Sequence, residues 1–124
     1  MRLKRNRLQT LHHKSVKIEK DSEGGVITTY GSADSLSCEV WPAGGKIQAE
    51  MYGERLSYIK NIRLNGKYEI QSDENGRVHY ICEGVDLMEG DGLCIYVSEE
   101  QKPDYRIISI KPYRFLRLEA EKLE

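Results

Sequence analysis

Clusters of glycine, asparagine and aspartate interrupt this chain every 10 to 20 residues, and between them apolar and polar side chains alternate with a period of two. Such alternation puts successive side chains on opposite faces of an extended strand. No stretch between turn clusters sustains a convincing long 3.6-residue periodicity, so the pattern predicts an all-β fold. Many short segments separated by turn chemistry point to a small barrel-like domain of short antiparallel strands with long loops.

The first strand is expected over residues 11–19, with Val16 and Ile18 on one face and Lys17 and Glu19 on the other. Residues 21–25 supply a turn, and residues 26–30 are rich in β-branched side chains, so the two form a hairpin. Residues 31–35 read as a loop. The clearest alternation follows, with Leu36, Cys38 and Val40 inward and Ser37, Glu39 and Trp41 outward, until Pro42, which ends it or marks an edge. After Gly44 and Gly45, residues 46–52 alternate again and predict a second strand, with Ile47, Ala49 and Met51 sharing a face. Residues 54–64 fit both periodicities and are assigned to a strand. Asn65-Gly66 is a tight-turn signal, and residues 68–70 and 78–82 flank an acidic tip at residues 72–76. The continuous apolar run at residues 93–97 predicts a central strand covered on both sides. Residues 98–104 form a polar loop. A strand over residues 105–110 and another over 113–120 finish the chain, whose acid-rich end also allows a short helix.

At 124 residues the chain is the size of a single domain, 1–124, able to bury roughly two thirds of its unfolded surface. The net charge of −1 hides an asymmetry. Residues 1–17 hold six of the nineteen basic side chains and no acid, leaving thirteen basic against twenty acidic side chains in the remainder. Residues 1–10 are therefore expected to be a basic, flexible arm ahead of an acidic body. No apolar run reaches the roughly 20 residues of a membrane span. Met1-Arg2-Leu3-Lys4-Arg5 does not resemble a signal peptide, so the protein is expected to stay where it is made. Three cysteines, Cys38, Cys82 and Cys94, do not make a disulfide framework and are expected to be reduced core residues.

Catalytic and metal chemistry find little support. His12 and His13 are adjacent on a strand and point to opposite faces, so they do not share an ion. His79, the remaining histidine, is expected to face solvent, away from Cys82. The acidic pairs Asp73/Glu74, Glu89/Asp91 and Glu99/Glu100 fall in turns and are expected to be solvated. Residues 86–91 lack calcium-loop spacing, and the glycine pairs join strands, unlike a phosphate loop. The expectation is no enzyme, no metal and no cofactor.

Two stretches, Val40-Trp41-Pro42-Ala43-Gly44-Gly45-Lys46-Ile47-Gln48-Ala49-Glu50-Met51-Tyr52-Gly53-Glu54-Arg55-Leu56 and Pro103-Asp104-Tyr105-Arg106-Ile107-Ile108-Ser109-Ile110-Lys111-Pro112-Tyr113-Arg114-Phe115-Leu116, carry a resemblance. Together with Gly90-Asp91-Gly92 before an apolar strand, they resemble head-tail connector proteins of tailed bacteriophages and prophages, of the head-closure or stopper group in siphophage-like necks. The resemblance implies a β-barrel that docks below the portal or adaptor ring, closes the capsid's DNA exit after packaging and offers the tail attachment surface. Implied partners are the portal or adaptor, tail terminator and tail tube proteins, further copies of itself in a ring, and packaged DNA through non-specific contact; no membrane is involved. It places the protein in the bacterial cytoplasm during assembly and then in the virion neck. On this reading Arg2, Lys4, Arg5, Arg7, Trp41, Tyr52 and Arg55 are partner-interface candidates, and Asp73, Glu74 and Asn75 form a channel loop. Two alternatives stay open: a single-stranded nucleic-acid-binding barrel using its eight tyrosines, one tryptophan and one phenylalanine as stacking platforms, and another neck component such as a tail terminator.

Overall fold

The computed structural model describes residues 8–123. Nine strands and one helix follow in order: β1 (Gln9–Lys20), β2 (Val26–Pro42), α1 (Gly45–Tyr52) running into a 3₁₀ turn (Gly53–Tyr58), β3 (Ile59–Leu64), β4 (Tyr68–Ser72), β5 (Val78–Cys82), β6 (Val85–Leu87), β7 (Gly92–Cys94), β8 (Tyr105–Pro112) and β9 (Leu116–Lys122). Six of these strands close an antiparallel barrel in the order β1-β2-β3-β9-β8-β7, and β4-β5-β6 form a small second sheet. The all-β barrel expected from the alternation is therefore present.

The inward side of the alternation fills the barrel. Leu11, Leu36, Cys38, Ile62, Leu64, Leu93, Ile107, Ile110, Leu116, Leu118 and Ala120 are buried in one cluster that also takes in Cys82, Val85 and Leu87 of the second sheet. A barrel of this size leaves room only for its own side chains. All three cysteines are free and buried, as their apolar setting predicted.

Several boundaries differ from the sequence pattern, each for a local reason. β2 runs unbroken through residues 31–35, because they continue the ladder with β1 past a bulge between Lys14 and Val16; no loop exists there. The strands of this hairpin are accordingly long. Beyond the barrel, residues 16–20 and 26–30 pair only with each other, a two-stranded ribbon exposing Ile18, Val26 and Ile27. Gln9 and Thr10, drawn into the basic arm, are already part of β1; residues 1–7 of that arm lie outside the described residues. The turn read from Asn65 and Gly66 is present, with Gly66 at φ +101°, but it leads from one sheet to the other, and the Asn65 N–H still extends the barrel ladder to the Ser37 carbonyl at 2.9 Å. Residues 93–97 do not form one strand. After Cys94 the Ile95 and Tyr96 N–H groups donate to the Asp104 carboxylate at 2.8 and 3.0 Å, which draws the chain out of the ladder. Residues 119–122 stay extended in β9, because Leu118 and Ala120 are core and Glu119 is covered.

The largest departure is residues 46–52, which form α1 instead of a strand. Seven residues of mixed polarity satisfy both periods. Lys46, Gln48, Ala49, Glu50 and Met51 are good helix formers, and Gly53, at φ +55°, ends the helix.

Buried polar groups brace the frame. Asp91, expected to be solvated, is 2% exposed. Its carboxylate accepts from the Val16 N–H at 3.1 Å, the Met88 N–H at 3.0 Å and His13 Nε2 at 2.7 Å. Neighbouring Glu89 accepts the Ile110 N–H at 3.0 Å, so this pair also serves the backbone. His12 turns the other way, toward Glu99 at 3.4 Å, in keeping with the opposite faces expected of strand neighbours.

Candidate functional site

Polar residues on the outer wall of the barrel fix the helix in place. Gln48, Tyr52 and Arg55 are spaced four and three apart, and so share one face of the α1 and 3₁₀ segment. That face lies on β3 and β9. Gln48 Nε2 donates to Asn61 Oδ1 at 2.6 Å and Glu119 Oε2 at 2.8 Å, while its Oε1 accepts from Asn61 Nδ2 at 3.1 Å and from the Gly44 N–H at 3.0 Å. Lys111 Nζ reaches the other Glu119 oxygen at 2.9 Å. Gln48, Asn61 and Glu119 are all buried. Burial alone would raise the Glu119 carboxyl, but hydrogen bonds from Lys111, Gln48 and Tyr52 outweigh it and hold it below its ordinary range. The same Glu119 contact adds to burial in pushing the Tyr52 hydroxyl up to about 12. Arg55 forks onto Glu121 with two bonds of 2.7 Å, so its pairing is internal.

A helix seated on its polar face turns its apolar face outward. Ile47 is 75% exposed and Met51 56%, one helical turn apart, with Tyr58 exposed on the 3₁₀ turn that follows. This inverts the usual arrangement of a surface helix, whose apolar stripe faces the core.

Below the helix, the outward face of β2, β3 and β9 presents a second feature. Register sets Arg63 opposite both Glu39 and Arg117, and Arg117 opposite Lys111. The Trp41 indole lies among them, with the Arg63 and Arg117 guanidinium carbons 5.3 and 5.4 Å from its ring. Glu39, Val40, Trp41 and Arg63 line a groove there.

The channel-loop candidates Asp73, Glu74 and Asn75 lie at the exposed tip of the β4–β5 hairpin. Asp73 accepts the Asn75 and Arg77 N–H groups at 2.8 and 2.9 Å. His79, expected to face solvent, is instead half-covered, with Nε2 3.0 Å from Asp73 and Nδ1 2.9 Å from Asp86. Hydrogen bonds to Asp73 and then Asp86 raise the imidazole, and the His79 contact leads the causes that lower Asp73. Of the partner-interface candidates, Trp41, Tyr52 and Arg55 share the outer wall, while Arg2, Lys4, Arg5 and Arg7 lie outside the described residues. The exposed pair Ile47 and Met51 was missed, because a strand reading grouped both with Ala49 on one face of an extended segment instead of on the outer face of a helix. A helical count through Gln48, Tyr52 and Arg55 was the signal that could have found it.

No family model, curated protein or solved structure matches this chain. Among the described residues no helix is long and apolar enough to cross a membrane.

Proposed function

We infer that the protein is a structural subunit of a tailed-phage neck, of the head-closure type, which docks below the portal or adaptor ring, closes the DNA exit and receives the tail. The observation that carries the reading is the inverted helix. A barrel whose own core is filled spends eight residues on a helix held by a buried polar network, and so presents Ile47 and Met51 to the outside. Exposed apolar side chains grouped on a rigid element mark a protein interface. The ribbon with Ile18, Val26 and Ile27 and the hairpin with Ile70 and Val78 add two further apolar contact points in other parts of the fold. A subunit with neighbours above, below and beside it in a ring needs several such surfaces. The resemblance of residues 40–56 and 103–116 to neck proteins supplies the biological setting. In that setting the acidic tip at Asp73 and Glu74 suits a channel wall that repels DNA phosphates. No catalytic step belongs to this role.

Complementation tests it. A phage or prophage deleted for this gene should make DNA-filled heads that leak or lack tails, and the wild-type chain should restore titre. Ile47→Glu with Met51→Glu should fold normally yet fail to restore it. Normal tailed particles from the deletion would overturn the reading.

A further inference from the structure

We propose that Trp41, Arg63 and Arg117 form a docking site for an acidic peptide segment of a partner protein. The inference does not depend on the neck reading. Arg63 and Arg117 stand directly opposite each other on adjacent strands, an arrangement of like charges that opposes folding. The other arginines and the lysine on this wall are compensated: Arg55 and Arg106 pair with Glu121, and Lys111 with Glu119. Arg63 and Arg117 make no ion pair among the described residues, although Glu39 is the register neighbour of Arg63. What holds them is the indole. Trp41 stands on β2 and Arg117 on β9, two strand spacings or about 10 Å apart, so the ring lies across β3 to come within 5.4 Å of it. The negative face of the indole attracts both cations, yet it offers no oxygen to accept their N–H groups. Arg117 Nε is buried and has no hydrogen-bond partner among the described residues.

Two planar guanidinium forks side by side, with donors left over, match carboxylates, each of which can take a fork with two parallel bonds. The Val40 and Trp41 surface of the adjoining groove gives an apolar floor for the residues between them. The surroundings favour a peptide over a nucleic acid. Glu39 on one side and Glu119 and Glu121 along β9 border the arginine pair, and the chain beyond residue 17 has seven more acidic than basic side chains. Glu119 and Glu121 are already held by Lys111 and Arg55, but a polyphosphate strand running past the site would meet Glu39 at the groove and the acidic surface beyond it, whereas an extended peptide can place acids only where the arginines are.

Trp41 is the chain's only tryptophan, so its fluorescence reports the site directly. The full chain is titrated at low salt with hexaglutamate and, separately, with hexathymidylate. Hexaglutamate should change the emission saturably and bind at least tenfold more tightly than hexathymidylate. Arg63→Gln and Arg117→Gln, each checked for an unchanged circular dichroism spectrum, should each weaken hexaglutamate by about tenfold, the worth of one charge-assisted contact. Lys20→Gln, on the ribbon, should leave it unchanged. No saturable response to hexaglutamate would overturn the site, as would equal loss with Lys20→Gln, which would mean unspecific attraction. Equal or tighter binding of hexathymidylate would overturn the peptide assignment in favour of nucleic acid. If one arginine variant loses its fold, the other decides; an unchanged affinity in a folded variant also overturns the proposal.

Discussion

Replacing Asp91 by alanine removes the one acceptor shared by three donors, one buried and two half-buried. The Val16 N–H, the Met88 N–H and the His13 ring N–H all point at its carboxylate, at 3.1, 3.0 and 2.7 Å, from a site only 2% exposed. Each buried donor left without a partner costs about 1–3 kcal/mol. Because the three share one cavity that can relax, or admit a water, the sum falls toward the low end, about 3–5 kcal/mol. A domain of this size is stable by only about 5–15 kcal/mol, so the variant should be close to unfolding at 37 °C. Chemical denaturation at 25 °C followed by circular dichroism should show the midpoint falling with an unchanged slope, and the melting temperature should drop by about 10–20 °C. Asp91→Asn separates this account from simple loss of volume. It keeps one oxygen for the Val16 N–H but turns an amide NH₂ toward the Met88 N–H, so it should lose about 1–3 kcal/mol despite its unchanged size. An alanine variant within about 1 kcal/mol of wild type would refute the reasoning, because the three donors would then have other partners.

The thiols should be inert until the fold opens: burial pushes Cys38 up to about 12 and Cys82 up to about 11, and burial also raises Cys94. At pH 8 a disulfide-exchange reagent should label none of them in the native protein and all three in denaturant, and fast native labelling of Cys38 would contradict its burial. The brace at the β4–β5 hairpin should depend on pH at both ends. His79 is held above its ordinary 6.5, so its contribution is complete below about pH 6.5 and fades as pH rises through the raised value. Asp73 is held below its ordinary 3.8, so its contribution is present above that value and fades as pH falls through the lowered one. An NMR titration should therefore find His79 titrating above 6.5 and returning toward 6.5 in Asp73→Asn; an unshifted wild-type His79 would contradict the ion pair. Gly92→Ala should destabilise by about 1–3 kcal/mol, because a Cβ there would come within 2.4 Å of the Pro103 ring and 2.9 Å of Tyr30. A melting temperature equal to wild type would show that both rings can retreat.

The barrel was legible because its signal is collective. Leu36 and Cys38, Ile62 and Leu64, and Leu116, Leu118 and Ala120 each obey the period of two, and each set is buried as the alternation requires. Slips of boundary came where a single side chain overrode the pattern. Asp104 captured two N–H groups and cut short the apolar run at Cys94. Asp91 was misjudged for a related reason: between Gly90 and Gly92 an aspartate has the composition of a solvated turn, and its three donors come from residues 13, 16 and 88. Two of those three lie more than 70 positions away in sequence, so no local window contains them.

The outer wall was misread for a deeper reason, which bears on function. The period of two was carried through residues 46–52, which set Ile47 and Met51 on one face of a strand, and a strand there would have had to find its place in the barrel wall. The barrel had no room for such a strand, since its interior is closed by its own strands. What the wall offered the segment was Asn61, Glu119 and Glu121, all outward on β3 and β9 by the same period of two that buries Ile62 and Leu118. A helix is the conformation that brings Gln48, Tyr52 and Arg55 to one side, within reach of those groups. Left in water, Asn61 and Glu119 would need no helix above them; once covered, each needs the partner that Gln48 supplies. The polar network thus selects both the conformation and the orientation of α1, and the outward placement of Ile47 and Met51 follows from it. The apolar surface read here as an interface is the geometric consequence of a polar seat, so breaking the seat should remove the interface without touching an apolar residue.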